Sequence, residues 1–178
     1  MKLKKFNYKR VNSTNDLAVK IIKTSNNDSG MVIADYQKKG RGRYGRKWIS
    51  YKGNLHVSFF HELSKKNFSI NRITKINCLL VRTLLSKYIK KKIIYKKPND
   101  LLIENKKISG ILQEIIFISK KVFLITGIGI NINKSPIIKK YPATNMCELT
   151  RKSINKVEVE NNLKKLFEKN LIKLKIIK

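Results

Sequence analysis

The sequence predicts an α+β fold, and three observations carry that expectation. Apolar residues recur at helical spacing near both ends of the chain, short alternating or continuous apolar runs fill its middle, and no Pro-, Gly- or Ser-rich linker divides it. The last point predicts a single domain over residues 1–178, long enough to bury a substantial core. Hydrophobic residues make up 42% of the chain, which excludes a disordered polycation.

Each element has a local reason. Ser13 with Asp16 reads as a helix cap, ahead of Leu17, Ile21 and Ile22 at helical spacing. Residues 26–30 form a turn cluster, and Met31-Val32-Ile33-Ala34 then reads as a buried strand. Leu55, Val57 and Phe59 alternate with His56 and Ser58, the period of a half-buried strand. Over residues 70–89 the apolar positions Ile73, Ile76, Leu80 and Leu84 predict a long helix. Residues 93–95 read as a short strand ending at Lys96-Lys97-Pro98-Asn99-Asp100. Leu101-Leu102-Ile103, residues 108–118 and residues 122–130, joined by polar turns at 104–106 and 119–121, read as an antiparallel meander. Leu163, Leu166, Phe167 and Leu171 mark an amphipathic helix over residues 157–174.

The 41 Lys+Arg against 11 Asp+Glu give a net charge of +30. An anionic partner would explain it, and so would compositional drift, since Lys, Ile and Asn, all with A/T-rich codons, crowd the chain. The basic residues are scattered rather than blocked, which favours drift for most of the charge. Cys78 and Cys147 form no CxxC pair, and His56 and His61 are remote from both in sequence. That spacing argues against structural zinc and makes a reducing compartment the default. With no apolar leader and no run long enough to span a bilayer, a cytoplasmic protein without a membrane partner is expected.

Four segments carry the chemistry. The hydroxyls of Ser13-Thr14-Asn15 fit a helix cap or a ligand contact. Asp35-Tyr36-Gln37 leads into Gly40-Arg41-Gly42-Arg43-Tyr44-Gly45-Arg46-Lys47-Trp48. Glycine there permits close backbone approach, and arginine offers a planar fork matched to phosphate and carboxylate. Alone, the run equally fits a solvated basic loop or a nucleic-acid contact. The third segment joins Lys96-Lys97-Pro98-Asn99-Asp100 with Lys107-Ile108-Ser109-Gly110-Ile111-Leu112. The fourth, Gly127-Ile128-Gly129-Ile130-Asn131-Ile132-Asn133, lets a ligand or another part of the chain lie against a strand.

In this order the segments resemble the biotin–protein ligase family. Its Ser-Thr-Asn, Gly-Arg-Gly-Arg-x-Gly-Arg-x-Trp, Lys-Trp-Pro-Asn-Asp, Lys-x-x-Gly-Ile-Leu and Gly-x-Gly-Ile-Asn motifs find counterparts over residues 11–148. The resemblance implies a catalytic domain with a mixed, largely antiparallel central sheet flanked by helices. Neither an N-terminal DNA-binding domain nor a C-terminal β-barrel-like domain is expected, and with them goes any DNA-binding role. The implied activity joins biotin to ATP, giving biotinyl-5′-AMP, and then passes biotin to a lysine of a biotin carboxyl carrier protein, that of acetyl-CoA carboxylase.

The implied roles fall on residues of matching type. Lys107, Arg43 and Asp100 would be catalytic. Ser13, Thr14, Asn15, Gln37, Gly40, Arg41, Arg43, Lys107 and Gly110 would hold biotin. Arg43, Arg46, Asn99, Lys107 and Asn131 would hold ATP, with Mg²⁺ arriving on its phosphates and no protein-held metal. A homodimer is compatible with the family. Three departures stand out: Lys97 replaces the family's Trp, Tyr44 sits where Arg is frequent, and Asn145-Met146-Cys147-Glu148 matches only loosely. The competing readings are a lipoate or octanoate ligase or transferase of the same fold and, from another class, a basic nucleic-acid-binding protein.

Overall fold

The computed structural model describes residues 2–25, 27–63 and 69–176. Among the described residues seven strands form one sheet, β1 (Lys4–Val11), β2 (Ser29–Gln37), β3 (Leu55–Leu63), β4 (Ile94–Lys96), β5 (Asp100–Ile103), β6 (Lys106–Ile118) and β7 (Lys121–Ile130), in the order β1-β2-β3-β7-β6-β5-β4. Helices α1 (Thr14–Thr24), α2 (Ile70–Leu85), α3 (Met146–Thr150) and α4 (Lys156–Ile176) accompany it. Of the neighbouring strands in this sheet, only β1 and β2 pair in parallel, with α1 as the crossover between them; the others are antiparallel. The sheet is therefore mixed and largely antiparallel, as expected.

Two layers of helix cover it unequally. On one face α2 and α4 pack Val81, Leu84, Leu163 and Phe167 against Val57, Phe59, Ile111 and Ile128. There the Phe59 and Phe167 rings stack 3.9 Å apart at 3°. On the other face α1 alone packs Ala18, Ile21 and Ile22 against Val32, Phe60, Phe123 and Ile125. Leu163, Phe167 and Leu171 of α4 are all buried, the four-residue spacing read from the sequence. The turn between β5 and β6 places Glu104 and Asn105 at φ 50° and 60°, the left-handed pair of a tight hairpin.

Four sequence expectations need correction. The chain does not begin with a helix: β1 precedes α1. As an edge strand held by its ladder to β2, β1 leaves Lys4, Lys5, Asn7, Lys9 and Arg10 exposed, so it carries no apolar period. The residue 26–30 turn is shorter than predicted, because β2 already begins at Ser29; Asn26 lies outside the described residues. Strand β3 is not half-buried. His56 and Ser58 are as enclosed as Val57 and Phe59, because both faces of the central strand are covered. The helix predicted over 70–89 stops at Leu85, where Ser86 donates its amide to the Arg82 carbonyl.

His56 marks the cost of that enclosure. Its Nε2 lies 3.3 Å from the Tyr51 carbonyl, which only accepts, so Nε2 carries the proton; the Ser50 hydroxyl oxygen is 2.9 Å away. Nδ1 is buried without a partner among the described residues. Burial lowers the imidazole's pKa from 6.5 to about 4. The unfolded chain thus takes up a proton that the fold refuses. Stability is full above pH 6.5 and falls as pH drops toward 4, by up to about 3 kcal/mol from this group. His56→Gln should flatten the thermal midpoint against pH across that window; an unchanged slope would place the titration elsewhere.

Candidate active site

α1 covers only part of its face of the sheet. Beyond its first turn the same face carries Gly110 and Leu112 of β6 and Gly127 and Gly129 of β7, and a cavity of about 530 Å³ opens over them. Its walls come from the start of α1, from Gln37, from the loop after β2, from the corner at Lys96–Asp100 and from residues 136–143. Bare glycine backbone gives the cavity its depth.

Two side chains occupy that relief. A Cβ at Gly129 would run into the Trp48 indole, one at Gly110 would meet Trp48 and Lys107 at 3.0 Å, and one at Gly127 would strike the Asn15 amide. Trp48 thus lies across two strands, with its Nε1–H buried and unpartnered among the described residues. Above the indole stands the Lys107 ammonium, 5.4 Å from the ring centre. The same ammonium is 2.7 Å from Asp100 Oδ1, each side chain roughly 30% exposed.

The loop after β2 is a narrow hairpin. The Gly42 amide donates to the Arg46 carbonyl at 2.6 Å and the Trp48 amide to the Gly40 carbonyl at 2.9 Å. At its tip Tyr44 and Gly45 turn through φ 54° and 70°. Arg43 lies over the Tyr44 ring at 4.8 Å, and Arg46 over Tyr141 at 5.0 Å. Among the described residues seven basic side chains line the cavity (Arg41, Arg43, Arg46, Lys47, Lys96, Lys97, Lys107) against one carboxylate, Asp100, so the space suits an anionic ligand.

The structure brings all but one of the sequence-predicted residues to this cavity. The exception is Gly40, buried outside its wall, where a Cβ would meet the Trp48 carbonyl oxygen at 2.8 Å. Several of the others are engaged by the protein itself. Thr14 donates its amide at 2.8 Å and its hydroxyl at 3.0 Å to Gln37 Oε1, which leaves the Gln37 NH₂ as the donating end. The Gln37 amide N–H donates to the Ser50 hydroxyl at 2.9 Å. Ser13 caps α1 by accepting from the Asp16 amide. Asn99 and Asn131 act on backbone: Asn99 donates to the Ile111 carbonyl at 2.6 Å, and Asn131 to the carbonyls of Lys107 and Thr144. Arg41 meets Asp16 and Glu114.

Sequence reasoning missed the parts played by Trp48, Glu114, Ser58 and Tyr141. Period-two counting along β6 from Gly110 would have found Glu114 on the cavity face; Tyr141, on a distant loop, gave no signal. Cys78 is no nucleophile, because burial, with the Asp100 charge adding, pushes its thiol up to about 12. Among the described residues no three His, Cys, Asp or Glu side chains converge, and no helix is long and apolar enough to cross a membrane.

Against known proteins, the sequence pattern of the biotin/lipoate A/B protein ligase family matches residues 8–131. The bifunctional ligase/repressor BirA of Escherichia coli is 34% identical over 102 residues, 56% of this chain and 32% of that protein. BirA of Bacillus subtilis is 29% identical over 167 residues, 89% of this chain and 51% of its own. The chain thus spans between a third and a half of these curated relatives. Among solved structures, the biotin protein ligase of Aquifex aeolicus in complex with biotin and ATP superimposes with a TM-score of 0.81 at 34% identity, covering 98% of this chain and 72% of that one.

The glycine floor makes a direct prediction. Gly129→Ala should expel the indole from its seat, cost about 1–3 kcal/mol of stability by overpacking and shift the emission of the chain's one tryptophan to the red. Unshifted emission would mean that Trp48 does not rest on β7.

Proposed function

This chain belongs to the biotin/lipoate A/B protein ligase family, and within it we propose that it is an ATP-dependent biotin–protein ligase. The observation that carries this reading is the Lys107 ammonium, held between the Asp100 carboxylate and the Trp48 ring at the centre of a cationic, glycine-floored cavity. Likeness to a ligase that bears biotin and ATP supports it.

In the first step the biotin carboxylate attacks the α-phosphate of ATP. A carboxylate–phosphate bond forms, the bond to the β-phosphate breaks, and pyrophosphate leaves. Two anions must approach one another, so preorganised cations contribute most. Lys107 neutralises the meeting point, Arg43 grips both partners, and Arg46 serves the phosphate side. Gln37, with its acceptor oxygen already occupied by Thr14, presents its NH₂ to the ureido carbonyl. Ser13, Thr14 and Asn15 line the same end. Asn99 and Asn131 hold the backbone of Ile111 and Lys107 and so shape the nucleotide side. Mg²⁺ belongs with the ATP phosphates, since the Asp100 carboxylate on the wall is tied to Lys107.

In the second step a lysine amine of a biotin carboxyl carrier protein attacks the activated carbonyl. The amide bond forms, AMP leaves with its oxygen, and the amine's proton passes to Asp100 or to water. The carboxylate stands where it can orient the amine once Lys107 turns to the phosphate.

Protein incubated with ATP, Mg²⁺ and either biotin or lipoate should form an acid-labile acyl-adenylate and pyrophosphate with biotin. Product with lipoate alone would move the substrate within the family. Lys107→Ala should cut adenylate formation by about 100-fold or more with unchanged circular dichroism. Near-normal pyrophosphate release from that variant would remove Lys107 from the chemistry.

A further inference from the structure

Arg41 lies at the start of the hairpin loop, but its guanidinium is already matched. Its Nη2 is 2.6 Å from Asp16 Oδ1 and 3.1 Å from Glu114 Oε1. Glu114 does more than pair with it. Its Oε2 accepts from Asn15 Nδ2 at 2.6 Å, while Asn15 Oδ1 accepts from the Ser58 hydroxyl at 2.5 Å. The Asn15 amide, 4% exposed and wedged over Gly127, is thereby fixed in one orientation. The Glu114 carboxylate on β6 thus joins Asn15 of α1 to Arg41 of the loop, beside the direct pair that Asp16 of α1 makes with the same guanidinium.

We propose that Glu114 is a positioning residue of this site: it sets the Asn15 amide and latches the loop through Arg41 before any ligand arrives. Arg41 is then a latch and not a grip on the ligand, and the anionic substrates are met by Lys107, Arg43 and Arg46. This rests on the ligase reading for its effect on turnover, but not for its effect on the loop.

Glu114→Gln separates the two duties, because a glutamine oxygen still accepts from Asn15 while the carboxylate charge facing Arg41 is lost and Asp16 is left as its one ion-pair partner among the described residues. Arg41 and Asp16 are each about half exposed, so the latch is also open to screening by salt. Initial tryptic cleavage between residues 41 and 47 of the ligand-free protein, read by mass spectrometry at low and high salt, is the first measurement. The Glu114→Gln loop should be cut about three- to tenfold faster than wild type at low salt, and the two rates should converge at high salt, where the remaining Asp16 pair is screened in both. The KM for biotin should rise about fivefold with kcat within about twofold, and Glu114→Ala, which also frees Asn15, should lose kcat as well. Equal cleavage of wild type and Glu114→Gln at both salts would overturn the latch. Because cleavage is measured with no ligand present, that outcome holds whether or not biotin proves to be the substrate.

Discussion

The missing side chains of Gly127 and Gly129 are the constraint on which the site depends. A sheet with a helix on each face ordinarily closes its surface with apolar side chains, as Phe123 and Ile125 do beneath α1. Two residues further along β7 the same face becomes bare backbone, and the helix stops there. An indole from a loop and an amide from the helix start take the space instead. What would have been more core becomes a cavity about 530 Å³ in volume, floored by the central strands and not by flexible chain.

Charge is placed on this floor from rigid supports. The Lys107 backbone is held on both sides, its amide donating to the Pro142 carbonyl at 2.8 Å and its carbonyl accepting from the Thr144 amide at 3.0 Å. Asn54, fully buried, accepts from three successive amides, Ile132, Asn133 and Lys134, and so pins the chain as it leaves β7. Asn131 then joins that segment to Lys107. Polar side chains that read as ligand contacts are thus partly scaffold. The backbone from which the ammonium extends is thereby fixed, and the side chain alone turns between Asp100 and a bound phosphate.

Much of this was legible in the residues. The meander, the long helices and the order of the motifs follow from period and turn chemistry, because those signals are local. β1 was not legible, since an edge strand that turns only Phe6 toward the core has no apolar rhythm. The burial of His56 was not either, for alternation reports one face and cannot see that the loop carrying Ser50 and Tyr51 closes over the other. In the site, residue types announced a cationic cavity. They could not announce that Arg41 would be matched by Asp16 and Glu114, or that the strand glycines would seat Trp48 and Asn15, since those pairings join segments from 25 to more than 100 residues apart.

The cavity also divides by tolerance to mutation. Any side chain at Gly127 or Gly129 adds an atom where an amide or an aromatic ring already lies, so each change at the floor disturbs two elements at once. Lys97 is the opposite case: exposed on the wall, with no hydrogen bond or ion pair among the described residues, it can be exchanged without disturbing a neighbour. A lysine in place of the family's tryptophan is therefore a change the architecture accepts. Exchanges at the rim leave the packing of the site intact, while at the floor any added side chain displaces Trp48 or Asn15.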